Sequence, residues 1–102
     1  MFYVEGTCPS CLAGQIGVLR CSDDTTLLLM CDECKALWLD PADRRLDVSR
    51  TPDIRTFAVP GLLCKVGGGA AGWATREEIE RAGWQGYIVG EYHRPPLKPP
   101  RR

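Results

Sequence analysis

The chain has 102 residues, of which 44% are hydrophobic and 25% charged, and its formal net charge at neutral pH is zero. This composition is that of a folded protein rather than a disordered one. No apolar run approaches the roughly 20 residues that span a bilayer, so we expect no membrane partner. The first five residues lack the basic segment of a signal peptide, which predicts a cytoplasmic protein.

Two Cys-x-x-Cys pairs predict a metal site. Cys8 and Cys11 form the first pair, Cys31 and Cys34 form the second, and 19 residues separate them. Each pair can curl into a tight turn that directs two sulfurs to one point, and four thiolates complete the tetrahedral shell of Zn²⁺. Because disulfides are rare in the cytoplasm, we expect one structural zinc ion. A closed shell of four cysteines leaves no position for a reactive water, so the zinc is not expected to be catalytic.

The segment between the two pairs predicts a β-hairpin. Residues 15–22 and 25–30 have the composition of strands, and the intervening Ser-Asp-Asp sequence is typical of a turn. After the second pair, Asp40 followed by Pro predicts a short helix that ends near Leu46. Trp38 is expected to pack in the core over the metal site, because a small domain needs an apolar anchor there.

Residues 8–46 resemble a known family. The first pair reads Cys-Pro-Ser-Cys, and the second reads Cys-Asp-Glu-Cys-Lys-Ala-Leu-Trp-Leu-Asp, followed by Asp43 and Leu46. This pattern is similar to the small bacterial zinc-ribbon domains named after the ribbon of transcription factor IIB. The resemblance implies a zinc ribbon with the four cysteines as ligands, and it implies little about activity. Leu12 and Lys35 stand where that family usually has Gly after each pair.

Residues 47–93 contain the remaining predicted elements. Strands are predicted at 54–59 and 62–66, separated by a Pro-Gly turn, and at 86–92. Thr75 and the Glu three residues later form a capping box, which predicts a helix that ends near residue 82. The Gly that follows suits the left-handed position after a helix.

The predicted fold is a small α+β protein. Residues 1–46 form the zinc ribbon, a β-hairpin with two cysteine knuckles. Residues 47–93 form an α+β extension with one helix, which packs on the ribbon because it is too short and glycine-rich to fold alone. Residues 94–102, Arg-Pro-Pro-Leu-Lys-Pro-Pro-Arg-Arg, predict a disordered tail with the character of polyproline II.

Charge is unevenly distributed along the chain. Residues 1–46 carry a net charge of −3, whereas the last nine residues carry +4. Four thiolates on one Zn²⁺ would add a charge of about −2 to the first segment. Because duplex DNA is bound mainly through Lys and Arg, the acidic ribbon disfavours a nucleic-acid partner. The basic tail keeps such a partner as an alternative.

Three other residues carry side chains that can bind metal, react or transfer protons. Cys21 lies ten residues from either cysteine pair, near the predicted hairpin tip and too far from the metal to bind it. Cys64 is expected to pack as a small hydrophobic residue. The number of cysteines alone also allows a disulfide bond between Cys21 and Cys64. His93 has no neighbouring partner for acid–base chemistry and is expected to be solvated.

These features predict a non-enzymatic zinc-binding protein that contacts another protein as an adaptor, regulator or immunity-like factor. No catalytic constellation accompanies the metal site. The chain contains three Trp and three Tyr, which are residue types favoured at binding hot spots. The alternative is a nucleic-acid-associated zinc ribbon with a transcription-related role. A redox or metal-transfer role is a third hypothesis.

Overall fold

Six strands and one helix make up the regular structure of residues 1–92, the part of the chain that the computed structural model describes. His93 and the predicted tail at 94–102 lie outside the described residues. The elements in chain order are β1 (Phe2–Thr7), β2 (Gln15–Arg20), β3 (Leu27–Cys31), β4 (Leu37–Trp38), β5 (Gly72–Trp73), α1 (Arg76–Arg81) and β6 (Ile88–Glu91). An antiparallel sheet with one short helix confirms the α+β class.

The strands form one antiparallel sheet in the order β4-β3-β2-β1-β6. Strand β3 pairs with β2 from Ile16 to Arg20, which confirms the predicted hairpin. The other edge of β2 is shared, because Gly17 pairs with Tyr3 of β1 and Leu19 pairs with Trp73 of β5. Strand β6 extends the sheet by pairing with β1. The sheet therefore contains strands from both halves of the chain.

Both faces of the hairpin are buried. Val18 and Leu29 lie in one apolar cluster, which includes Ile79 of α1. Leu19 and Leu28 lie in a second cluster on the opposite face. Successive side chains of a strand point to opposite faces, so the continuous apolar run of β3 supplies both clusters.

Different parts of the chain cover the two faces. Helix α1 covers the first cluster, whose buried members are Val4, Cys8, Ile16, Val18, Leu29, Cys31, Ala36, Trp38, Ala74 and Ile79. A segment that contains Val59 and Cys64 covers the second cluster, whose buried members are Leu19, Cys21, Leu28, Met30, Leu37, Val59 and Cys64. Two of the predicted metal ligands therefore lie in the core that packs against the helix.

Helix α1 begins as its sequence predicts. The Thr75 hydroxyl accepts a hydrogen bond from the Glu78 N–H at 3.2 Å, and the Glu78 carboxylate accepts one from the Thr75 N–H at 2.9 Å. Both halves of the capping box are thus present. Gly83 follows the helix with a φ of 77°, a conformation in which Gly carries no steric penalty.

The predicted helix at residues 40–46 is wrong. The Asp40 carboxylate accepts a hydrogen bond from the Ala42 N–H at 2.9 Å, which closes a turn. Arg45 is extended, with a ψ of 150°, and its carbonyl oxygen accepts the indole N–H of Trp38 at 2.9 Å. This contact holds the chain out of helical geometry, and one short 3₁₀ turn follows at Leu46–Val48.

The strands predicted at 54–59 and 62–66 are also wrong. The Asp53 carboxylate accepts hydrogen bonds from the N–H groups of Arg55 and Thr56, which bends the chain into a turn. Phe57 has a φ of 63°, which interrupts any extended run. One bridge, between Ala58 and Lys65, remains of the expected hairpin.

The final predicted strand is present but shorter. A 3₁₀ turn occupies Gln85–Tyr87, and β6 begins at Ile88. Strands β1, β4 and β5 were not anticipated. Within residues 1–92, no helix has the length and apolar character needed to cross a membrane.

Candidate metal centre

The sulfurs of Cys8, Cys11, Cys31 and Cys34 lie within 4.8 Å of one another. The Cys8 and Cys34 sulfurs are 3.7 Å apart, and so are those of Cys11 and Cys31. In a tetrahedral zinc shell with bonds of about 2.3 Å, neighbouring sulfurs are about 3.8 Å apart. All four are free thiols. The cluster can therefore hold one metal ion.

The first cysteine pair forms a tight turn between β1 and β2. The Cys8 N–H donates to the Gly14 carbonyl oxygen at 2.9 Å, and the Leu12 N–H donates to the Cys8 carbonyl oxygen at 2.9 Å. Leu12 has a φ of 60°, which reverses the chain after Cys11. These contacts direct both sulfurs to the same side of the turn.

The second pair forms a similar turn after β3. The Cys31 N–H donates to the Ala36 carbonyl oxygen at 2.9 Å, and the Lys35 N–H donates to the Cys31 carbonyl oxygen at 3.2 Å. Lys35 has a φ of 67°. Both turns thus end in a left-handed residue, at the two positions where the resemblance implies Gly.

Hydrogen bonds between the two turns hold the four sulfurs together. The Gln15 N–H donates to the Asp32 carboxylate at 3.0 Å, and the Asp32 N–H donates to the Gln15 carbonyl oxygen at 3.0 Å. Gly14 lies so close to the second turn that an added Cβ would be 2.4 Å from the Cys31 sulfur. The closeness of the turns therefore requires Gly at position 14.

Backbone N–H groups also point at the sulfurs. The donors are Ser10 to Cys8 at 3.3 Å, Gly14 to Cys11 at 3.4 Å, Glu33 to Cys31 at 3.3 Å and Cys34 to Cys31 at 3.4 Å. Hydrogen bonds of this kind stabilise a thiolate, which is the form that binds metal.

The thiols of the site differ in acidity. The Gly14 N–H, followed by that of Ala13, lowers the pKa of Cys11 to about 6. Burial raises the pKa of Cys31 to about 12, and it also raises the pKa of Cys8. A divalent cation would offset the cost of keeping several buried sulfurs ionised in one place.

Exposure differs among the four cysteines as well. Cys8 and Cys31 are buried, Cys11 is half-buried and Cys34 is exposed. Trp38 is completely buried in the cluster that also contains Cys8 and Cys31. Its predicted role as a core residue beside the site is confirmed.

The two remaining cysteines lie elsewhere. Cys21 and Cys64 are buried free thiols in the second core cluster. Burial and the neighbouring Cys64 thiol raise the pKa of Cys21 to about 12. Cys64 packs among apolar residues, as expected. Among residues 1–92, the cysteines at 8, 11, 31 and 34 form the group that can hold a metal.

Two residues near the site are not indicated by the sequence. Arg50 forms a bridge with Leu37, with hydrogen bonds of 2.7 and 2.8 Å between their backbones. Phe57 is half-exposed in a left-handed conformation, which a bulky residue rarely adopts. No local sequence signal distinguishes either position.

Comparisons with known proteins add little. No protein-family model matches the chain, and no solved structure matches it. The chain is similar to the uncharacterized protein L48 of Acanthamoeba polyphaga mimivirus, with 26% identity over 86 residues, which is 79% of this chain and 72% of the relative. Membership of the zinc-ribbon family named after transcription factor IIB therefore stays a prediction. The relative is viral, so it lends no support to the bacterial source that the resemblance implies.

Proposed function

We propose that this chain is a non-enzymatic zinc-binding protein that contacts another protein through an exposed apolar segment. The sulfur spacing supports the metal part, because 3.7 Å separations match the edges of a zinc tetrahedron. Four cysteine ligands favour a soft or borderline metal such as Zn²⁺ over Mg²⁺ or Ca²⁺. One Zn²⁺ ion bound by Cys8, Cys11, Cys31 and Cys34 is the proposed cofactor.

The proposed zinc has a structural role. Cys31 ends β3 and Cys8 follows β1, so an ion bound to both would tie the two turns to the sheet. Binding at a closed cysteine site contributes on the order of 10 kcal/mol of apparent folding free energy. Metal removal should therefore unfold the turns and loosen the adjoining core.

Elemental analysis and chelation test the zinc assignment. We expect one Zn²⁺ per chain, and we expect a strong chelator to lower the thermal midpoint and reduce far-UV circular dichroism. Cys31→Ser should abolish stoichiometric binding. Cys21→Ala is the matched control, because Cys21 is equally buried but lies outside the cluster. Unchanged spectra and stability in metal-free protein would contradict the proposal.

The partner-binding part rests on the segment that covers the second face of the sheet. Ile54 is 87% exposed, Phe57 is 51% exposed and Leu63 is fully exposed. Three large apolar side chains on one short segment are typical of a contact surface. Phe57 carries the argument, because an exposed aromatic residue held at a φ of 63° combines backbone strain with loss of burial.

A photo-crosslinking experiment tests this surface. p-Benzoylphenylalanine is placed at position 57 in the full chain, and at Tyr87, another partly exposed aromatic position, as the matched control. We expect one protein to be crosslinked from position 57 and not from position 87. Binding of that purified protein should weaken at least tenfold in Phe57→Gly. Equal crosslinking from both positions would contradict the proposal.

Filter binding across a salt series tests the nucleic-acid alternative. The proposal predicts no binding of duplex or single-stranded DNA or RNA tighter than about 100 μM at physiological salt, the weak end of non-specific affinity. Micromolar affinity that falls steeply with added salt would overturn the protein-binding role.

A further inference from the structure

We propose that Cys34 is the labile ligand of the zinc site, the sulfur that first leaves the metal and that first reacts with thiol reagents. This inference rests on the proposed zinc site and adds the route by which the ion is exchanged. It follows from three differences between Cys34 and the other three ligands.

The first difference is hydrogen bonding. The sulfurs of Cys8, Cys11 and Cys31 each accept at least one backbone N–H. Within the described part of the chain, the Cys34 sulfur accepts no backbone N–H, and its polar neighbours are the sulfurs of the cluster, with that of Cys8 at 3.7 Å. A thiolate without such donors keeps more negative charge on sulfur and is the stronger nucleophile.

The missing donor has a structural cause. Gly14 stands three residues after Cys11, and its N–H donates to that sulfur at 3.4 Å. Leu37 stands three residues after Cys34, but its N–H donates to the Arg50 carbonyl oxygen at 2.7 Å. The Leu37 N–H is therefore bonded to Arg50 and does not donate to the Cys34 sulfur. The two turns are alike in backbone, yet only the first protects its second sulfur in this way.

The second and third differences concern access. Cys34 is the exposed member of the four, whereas Cys8 and Cys31 are buried. Cys34 also lines a cavity of about 320 Å³ whose walls include Ile54 and Phe57. An incoming ligand or reagent can approach the cluster from this side without opening the core that contains Trp38.

The exchange step is a ligand substitution. A thiolate or chelator donor forms a bond to the metal as the bond to the Cys34 sulfur breaks, and that sulfur takes a proton from water. With N-ethylmaleimide, the Cys34 thiolate adds to the carbon–carbon double bond. A carbon–sulfur bond forms, and the resulting carbanion takes a proton from water. The thioether product is neutral and binds metal weakly, so the ion is released.

The test uses the full chain with its zinc content measured first. One molar equivalent of N-ethylmaleimide is added, the reaction is quenched, and peptide mapping locates the label while a chromogenic chelator records released zinc. We expect most of the label on Cys34, with zinc released in proportion to it. Labelling mainly at another ligand, or evenly over the four, would overturn the inference. Absence of zinc at the start would overturn the proposed metal site as well, which distinguishes the two failures.

A matched pair of variants gives a second readout. Cys34→His and Cys11→His each replace one thiol by a nitrogen ligand that a structural zinc site accepts. We expect Cys34→His to slow zinc release by N-ethylmaleimide at least tenfold and Cys11→His to leave the rate within threefold. Equal rates in the two variants would contradict the inference. If either variant fails to bind zinc, the peptide map of the unmodified sequence alone tests the inference.

Discussion

Leu12 and Lys35 occupy the same backbone conformation, with φ values of 60° and 67°, directly after the second cysteine of each pair. Each N–H donates to the carbonyl oxygen of the first cysteine of its pair. A residue with a side chain costs about 1–2 kcal/mol in this region relative to its ordinary conformations. Both cysteine turns therefore contain a strained backbone conformation.

Leu12→Gly and Lys35→Gly should each stabilise the protein. Gly removes the steric cost at positive φ, and its greater freedom in the unfolded chain cancels part of the gain. We expect the free energy of unfolding to rise by about 0.5 kcal/mol for each variant. Urea denaturation at a fixed zinc concentration measures it.

Ala13→Gly is the matched control for these variants. Ala13 is exposed next to Leu12 and does not have a positive φ. The change adds the same unfolded-state freedom without relieving strain, so stability should fall by about 0.5–1 kcal/mol. A loss of stability in Leu12→Gly equal to that in Ala13→Gly would contradict the assigned strain.

Gly14→Ala should weaken metal binding. The added Cβ would lie 2.4 Å from the Cys31 sulfur and 2.9 Å from an Asp32 carboxylate oxygen. The two turns would have to separate, which would distort the sulfur tetrahedron. We expect zinc affinity to fall at least tenfold in competition with a chelator. Gly86→Ala is the control, since a Cβ there meets no atom within 4 Å, and its affinity should not change.

Glu78→Gln should reduce stability and flatten its dependence on pH. The Thr75 N–H and then the Arg20 guanidinium, at 2.7 Å, lower the pKa of Glu78 below its ordinary value of 4.5. Because the folded-state pKa is the lower one, this stability is present above pH 4.5 and is lost as the pH falls through the folded value. Gln preserves the cap but not the charge, so we expect a loss of about 1 kcal/mol at pH 7.

Chemical denaturation at pH 7, 5, 4 and 3 measures this effect. The unmodified sequence should lose stability across the acidic range more steeply than the Glu78→Gln variant. Glu77→Gln is the control, because Glu77 is exposed in the same helical turn, and its unfolding free energy should change by a few tenths of a kcal/mol. Parallel pH curves for the unmodified and Glu78→Gln proteins would show that the charge of Glu78 contributes nothing through its contacts with the Thr75 N–H and Arg20.

The parts predictable from sequence depend on short-range chemistry. Each Cys-x-x-Cys pair predicts two ligands of the cluster, and Thr75 with Glu78 predicts the helix cap, because each of these signals lies within a few residues. The missed elements depend on distant partners. Strand β5 is two residues that become a strand by pairing with Leu19 and Arg20, more than 50 positions earlier. The helix predicted after Asp40 fails because Trp38 binds the Arg45 carbonyl oxygen.

The segment around Phe57 differs from its predicted strands for a similar reason. Its apolar residues have the composition of strands, but Asp53 closes a turn by accepting two backbone N–H groups. Composition does not report which side chains remain outside the core, and Ile54 and Leu63 stay exposed. The surface proposed for partner binding was therefore visible in the structure alone.

Phe57→Gly and Phe57→Ala should separate strain from binding at this surface. An Ala variant is normally more stable than a Gly variant by about 0.5–1 kcal/mol. At a φ of 63° the order should reverse, so that the Gly variant unfolds with a free energy about 0.5–1 kcal/mol higher. Both variants lose the ring that packs against Gly67, so both should lose partner binding equally. Thermal unfolding and binding assays on the same two proteins measure the two effects. If Ala were the more stable residue, the strain would be absent, and the argument that Phe57 is held exposed for a partner would lose its physical basis.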